Sequence, residues 1–191
     1  AHDHEIVSIY PFTDEEVDQL ANHSQECVLM WSTRDGWPVG VTHAFVWHDG
    51  KIWLTFAAHR HRAAAIRRDA RVSVNVSSAG YRAGSPSGLP QGAITFKGRA
   101  AFFEDEGRLS EAVLYYEDDD TKKWFYSALS RKLFPASDSG EKFFYSVLDS
   151  PLRTILAITP EKKIMYNSKT ANAHLFGKIE EEELGARLDS D

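Results

Sequence analysis

"CVLMWSTRDGWPVGVTHAFVWHDGKIWLTFA", residues 27–57, holds three apolar runs separated by two short Asp-Gly turns. The runs at 27–33, 38–47 and 51–57 are rich in Val, Trp, Phe and Thr, side chains that fit a pleated, half-buried surface. Asp-Gly between such runs is the strongest short-range hairpin signal, because both turn residues must accept φ > 0. The stretch therefore predicts three consecutive antiparallel strands.

Working outward, residues 13–22 open with Thr13 and carry Glu16 three places on, the signature of a capping box at a helix start. Downstream, an alanine-rich run predicts a helix over about 61–69. "RVSVNVSS" (71–78) alternates, with Val72, Val74 and Val76 on one face. A Gly/Pro/Ser loop at 79–92 is long enough to be functional. "AITFKGRAAFF" (93–103) is the longest strand, and Gly98 at its middle predicts a bulge or sharp bend. Two helices follow, one carrying Leu109, Ala112, Val113 and Tyr116, the other Phe125, Ala128, Leu129 and Leu133. Segments 152–159 and 162–167 read as closing strands, and residues 134–151 fit no element of this scheme.

Closely spaced antiparallel strands with few helices favour a small barrel over a doubly wound sheet. The expected fold is mainly β (α+β): an antiparallel β-barrel with flanking helices, formed by one domain over residues 1–191. Its parts are a helical segment at 12–22, a barrel core over about 26–167 and an acidic tail over about 178–191, expected to be disordered in part or lightly packed.

The 191 residues carry a net charge of −6, with 42% hydrophobic and 26% charged residues and a mean hydropathy of −0.40. That balance argues against a general nucleic-acid binder or a membrane-surface protein. Cys27 is the only cysteine, so no intramolecular disulfide can form. The first thirty residues have no apolar stretch suited to a signal peptide, and no run is long enough to cross a bilayer. These features predict a cytoplasmic protein.

Arg60, His61 and Arg62 precede the alanine-rich run. A helix begins with unpaired N–H groups and the positive end of its dipole, so cations there are disfavoured unless an anion joins them. In an acidic chain, such a local cluster reads as a site for a small anion. His59 and His61 could chelate a metal, but the flanking arginines would repel it, and no metal is expected. His43, within a strand, is a hydrogen-bonded barrel residue or a group facing a ligand.

The succession "RDGWP" (34–38), "HDGKIWLTF" (48–56), "AHRHRAAAIRRD" (58–69) and "ARVSVNV" (70–76) resembles the flavin-binding split barrel of the pyridoxamine 5'-phosphate oxidase-like family. The later strand with a central Gly is similar to that family's long strand, so the resemblance covers about residues 26–103. It implies FMN bound at a homodimer interface and an oxidoreductase acting on a small-molecule substrate. It also implies phosphate contacts from Arg60, His61 and Arg62, a ring lying along Val39, Gly40, Val41 and Thr42, and contacts from Thr55 and Phe56. The Ser usual in the phosphate cluster is Arg60 here, and the Arg-Pro-rich end of true vitamin B6 oxidases has no counterpart. Relatives of the fold use a deazaflavin cofactor or bind haem, which leaves a deazaflavin-dependent reductase and a non-catalytic carrier as alternatives.

Overall fold

A computed structural model describes residues 10–104, 116, 119–180 and 183–184. The chain opens with α1 (Asp14–His23), held by the expected capping box. Glu16 N–H donates to the Thr13 hydroxyl at 3.2 Å, and Thr13 N–H donates back to the Glu16 carboxylate at 2.9 Å. The strands are β1 (Glu26–Ser32), β2 (Pro38–Ala44), β3 (Val46–His48), β4 (Lys51–Ala57), β5 (Arg71–Ser77), β6 (Gly92–Phe102) and β7 (Arg153–Asn167). Helix α2 (His61–Arg68) links β4 to β5, α3 (Asp119–Leu133) and α4 (Asp138–Leu148) precede β7, and α5 (Ser168–Leu175) follows it.

The strands form one antiparallel sheet in the order β2-β1-β5-β6-β7-β4-β3. The run expected as a single strand at 38–47 is broken at Phe45 into β2 and β3, which occupy opposite edges of that sheet. One residue cannot span a flat seven-stranded sheet, whose strands lie about 4.8 Å apart. The sheet must therefore curl until its edges meet at Phe45, which is wholly buried. The edges part beyond it, because β3 reaches only Trp53 of β4 and β2 pairs only with β1. This is the expected split barrel with flanking helices.

Strand alternation sorts the core into two layers. Leu29, Leu54, Phe56, Val74, Val76 and Phe96 point inward and fill the curled sheet. Trp53, Ile155 and Ala157 point outward and pack against Phe125, Leu129 and Leu148 of the α3–α4 layer. Strand β4 is thus buried on both faces, which explains its almost unbroken apolar run. Segment 134–151, without a place in the sequence scheme, contains α4, started by Ser137 accepting from Gly140 N–H at 3.1 Å.

The segments read as two closing strands are one 15-residue strand, β7. Its residues 153–158 pair with β4, and its residues from Leu156 to Asn167 pair with β6 across a register shift at Lys97/Gly98. Pro160 sits at this irregularity, where a missing ladder N–H is tolerated. Leu109, Ala112 and Val113 lie outside the described residues, as do 181–182 and 185–191 of the acidic tail. Among the described residues, no helix is long and apolar enough to cross a membrane.

A Cβ on Gly98 would stand 2.3 Å from the Thr159 carbonyl oxygen, so the bulge holds β6 and β7 closer than any side chain allows. Gly98→Ala is expected to lower stability by about 1–3 kcal/mol, the usual cost of overpacking. Urea unfolding checks this: the midpoint should fall at an unchanged slope, and an unaltered midpoint would contradict the bulge.

Candidate functional site

Helix α2 starts at the seam where the sheet edges separate. Its N-cap is Arg60, whose side chain makes no capping bond, and its first turn holds no acidic residue. Ala63 N–H closes on the Arg60 carbonyl at 2.9 Å, so the amides of His61 and Arg62 precede the first closed turn. The basic residues at the two ends differ in their partners. Arg67 pairs with the buried Glu104 carboxylate and lies 3.9 Å from the centre of the Phe102 ring. Arg68 donates to the Ser32 carbonyl at 2.9 Å. At the front, Arg60 and His61 are exposed, and their side chains have no hydrogen-bonding or ionic partner among the described residues.

Arg62 turns inward. Its guanidinium carbon stands 5.0 Å from the centre of the Phe56 ring, and its Nε is buried without a hydrogen-bond partner. Burial, and then the neighbouring Arg60 charge, push the Arg62 pKa down. His43 of β2 also lies beside Phe56, with ring centres 5.7 Å apart. The Nε2 of His43 is also buried without a partner. Burial first, and then the Arg62 charge, lower the His43 pKa from 6.5 to about 4, so the imidazole is neutral near pH 7. A guanidinium and a neutral imidazole with unsatisfied nitrogens, beside open helix amides, are the donor set that a phosphate or another oxyanion would complete.

The structure brings Arg60, His61, Arg62 and Phe56 to one place and adds His43. Val39 and Val41 share the inward face with His43, opposite Trp31, Leu29 and Cys27 of β1. Gly40 and Thr42 are exposed on the other face, and a Cβ on Gly40 would meet Val28 at 3.0 Å. Among the described residues β2 is an edge strand, so its backbone is unpaired on its outer side. Thr55 is turned away from this group: its buried hydroxyl donates to the Thr154 carbonyl at 2.7 Å, on the side of β4 facing α3. His43 was legible only as one of two alternatives, since its nearness to Arg62 depends on the curl of the sheet.

No family model and no curated protein matches the chain. Solved structures do match it. The conserved hypothetical protein Rv2991 of Mycobacterium tuberculosis has a TM-score of 0.62 at 19% identity, over 83% of this chain and 87% of that one. A candidate pyridoxamine 5'-phosphate oxidase of Listeria innocua has a TM-score of 0.50 at 21% identity, over 81% and 98% of the two chains. An FAD-binding protein of Mesorhizobium loti has a TM-score of 0.53 at 14% identity, over 80% and 92%. The chain therefore has the split-barrel fold of the pyridoxamine 5'-phosphate oxidase-like proteins.

The His43 environment has a consequence for pH. The unfolded imidazole, with a pKa near 6.5, takes up a proton before the folded one, whose pKa is about 4. The contribution of His43 is thus fully present above pH 6.5 and is lost as pH falls from 6.5 towards 4. Urea midpoints compared between the native protein and His43→Gln should show a gap that changes across this window and is constant above it. A gap independent of pH would contradict the lowered pKa.

Proposed function

We propose that the protein is an FMN-dependent oxidoreductase acting on a small-molecule substrate, working in the cytoplasm as a homodimer with cofactor at the subunit interface. The observation that carries this reading is the unsatisfied basic group at the start of α2: Arg60, His61 and Arg62 beside open amides, with a buried, unpartnered Nε on Arg62. The residues fit a phosphate monoester. Its charge would meet two guanidinium groups and the helix dipole, and its oxygens would accept from groups that otherwise lack acceptors.

In this reading Arg60, His61 and Arg62 hold the phosphate. The outer backbone edge of β2, from Val39 to Thr42, supports the flat ring, and Phe56 forms an apolar wall. His43 is neutral near pH 7 and adds no cation beside the ring. Bound FMN supplies hydride and electron transfer, while the protein supplies orientation and electrostatics. Two further facts support the reading: the fold is shared with a candidate pyridoxamine 5'-phosphate oxidase, and an FAD-binding protein has the same architecture.

The test is the absorption spectrum of the protein after incubation with FMN and removal of the excess, for the native chain and Arg62→Ala. The native protein should keep a two-band flavin spectrum at about one flavin per chain. Arg62→Ala should weaken FMN binding by about 10- to 150-fold, the loss of a charge-assisted contact worth about 1.5–3 kcal/mol. Equal affinity in the two proteins would remove the phosphate from Arg62. A Soret band in the purified protein would move the reading to haem, and refusal of FMN with uptake of a deazaflavin would move it to a deazaflavin-dependent reductase.

A further inference from the structure

The C-terminal ends of α1 and α3 both border an open pocket of about 250 Å³. Its lining takes His23 from α1, Lys132 from α3, and Arg82, Gly84 and Ser85 from the loop between β5 and β6. None of these residues belongs to the α2 cluster, and among the described residues no carboxylate lines the pocket. Cations are favoured at helix C-termini, where they meet the negative end of the dipole. Arg82 follows that rule: its half-buried guanidinium donates to the Lys132 and Leu133 carbonyls at the end of α3. It forms no ion pair among the described residues, so peptide dipoles alone hold it at the pocket wall.

Lys132 is placed differently. An ammonium has three N–H donors, and each needs an acceptor when water is excluded. Here Nζ donates to one carbonyl, that of Ala21 in the last turn of α1, at 3.2 Å. It also stands 3.9 Å from the centre of the Phe45 ring, which is wholly buried. Lys122, Lys123 and Lys163 pair with Asp149, Asp120 and Asp14, whereas Lys132 has no carboxylate partner among the described residues. The titratable and charged groups around it are His23 of α1, Cys27 of β1 and Arg82 of the loop. Burial pushes the Lys132 pKa down to about 8, against a smaller opposing influence of Cys27, whose own thiol burial pushes up to about 12. Near pH 8 a large share of Lys132 is therefore the neutral, nucleophilic amine.

We propose that Lys132 is a reactive amine that forms an imine with a small 2-oxo acid seated in this pocket, the carboxylate of the acid meeting Arg82. The Nζ lone pair attacks the carbonyl carbon, a C=N bond replaces the C=O bond, and the oxygen leaves as water with the two protons of the amine. No oxidant or reductant takes part. A protonated imine keeps a single N–H donor and a positive charge. The site provides one carbonyl acceptor, on Ala21, and one aromatic face, on Phe45, so it satisfies an iminium more fully than an ammonium. Arg82, bonded to peptide carbonyls and to no carboxylate, supplies the charge-assisted contact that an acid group takes up. The inference does not depend on the flavin reading.

The experiment treats the full chain with limiting glyoxylate near pH 8, reduces the imine with cyanoborohydride, and locates the label by peptide mass mapping. Lys132 should carry at least about fivefold more label than any other lysine, because ordinary lysines, with a pKa near 10.4, are almost wholly protonated at that pH. Acetaldehyde, which has no carboxylate, should show a smaller preference for Lys132 over the other lysines. In Arg82→Gln the acetaldehyde preference should persist, while the extra preference shown by glyoxylate should be lost. Label spread evenly over the lysines of the native protein would overturn the proposal. So would equal preferences for the two aldehydes, or a glyoxylate advantage that survives Arg82→Gln. A variant that loses the acetaldehyde preference as well would show that Arg82 shapes the pocket and meets no carboxylate, against the proposal.

Discussion

Because Phe45 is wholly buried and joins β2 at one edge of the sheet to β3 at the other, the two edges cannot separate there. The curl of the whole sheet follows from that single crossing. Inside the curl, Leu29, Leu54, Val74 and Phe96 lose all contact with water, and this burial is the main force holding the strands in register. Outside it, Trp53, Ile155 and Ala157 present a second apolar surface that α3 and α4 cover. Away from the crossing the edges diverge, since only three residues of β3 pair with β4. The seam that opens is where α2 begins and where His43, Phe56 and Arg62 meet.

The electrostatics of α2 then divide the molecule's positive charge by role. Arg67 neutralises Glu104, whose buried carboxylate also accepts the Thr154 hydroxyl at 2.8 and 2.7 Å, tying α2 to β7. Arg68 fastens the same helix to β1. These residues sit where the helix dipole favours cations. Arg60 and Arg62 sit where it disfavours them, and Arg62 is in addition partly desolvated. A fold held together by its other contacts can sustain this local cost, and unsatisfied groups of this kind mark places where a ligand completes the structure.

What could be read in the sequence was local. The Thr13/Glu16 capping box, the two Asp-Gly turns, the Val72/Val74/Val76 alternation and the Gly98 bulge each depend on neighbours within a few residues, and each stands as expected. The basic start of α2 was legible for the same reason. Long-range features were not. The break at Phe45 follows from closure of the sheet, and the merging of 152–159 and 162–167 follows from pairing with β6 through a bulge that accommodates Pro160. Which of Thr55 and Phe56 faces the seam is decided by the α3 layer on the other side of β4. The approach of His43 to Arg62 is a property of curl and register, which the order of residues along the chain does not display.

The central claim, that the seam at the start of α2 is built for a phosphate attached to a flat ring, separates two ligands that differ only in that phosphate. Calorimetric titration of the full chain with FMN and with riboflavin is the direct comparison. Two charge-assisted contacts of about 1.5–3 kcal/mol each predict that FMN binds at least about 100-fold more tightly than riboflavin. Comparable affinities for the two would mean that the guanidinium groups of Arg60 and Arg62 hold no phosphate, and would contradict the account.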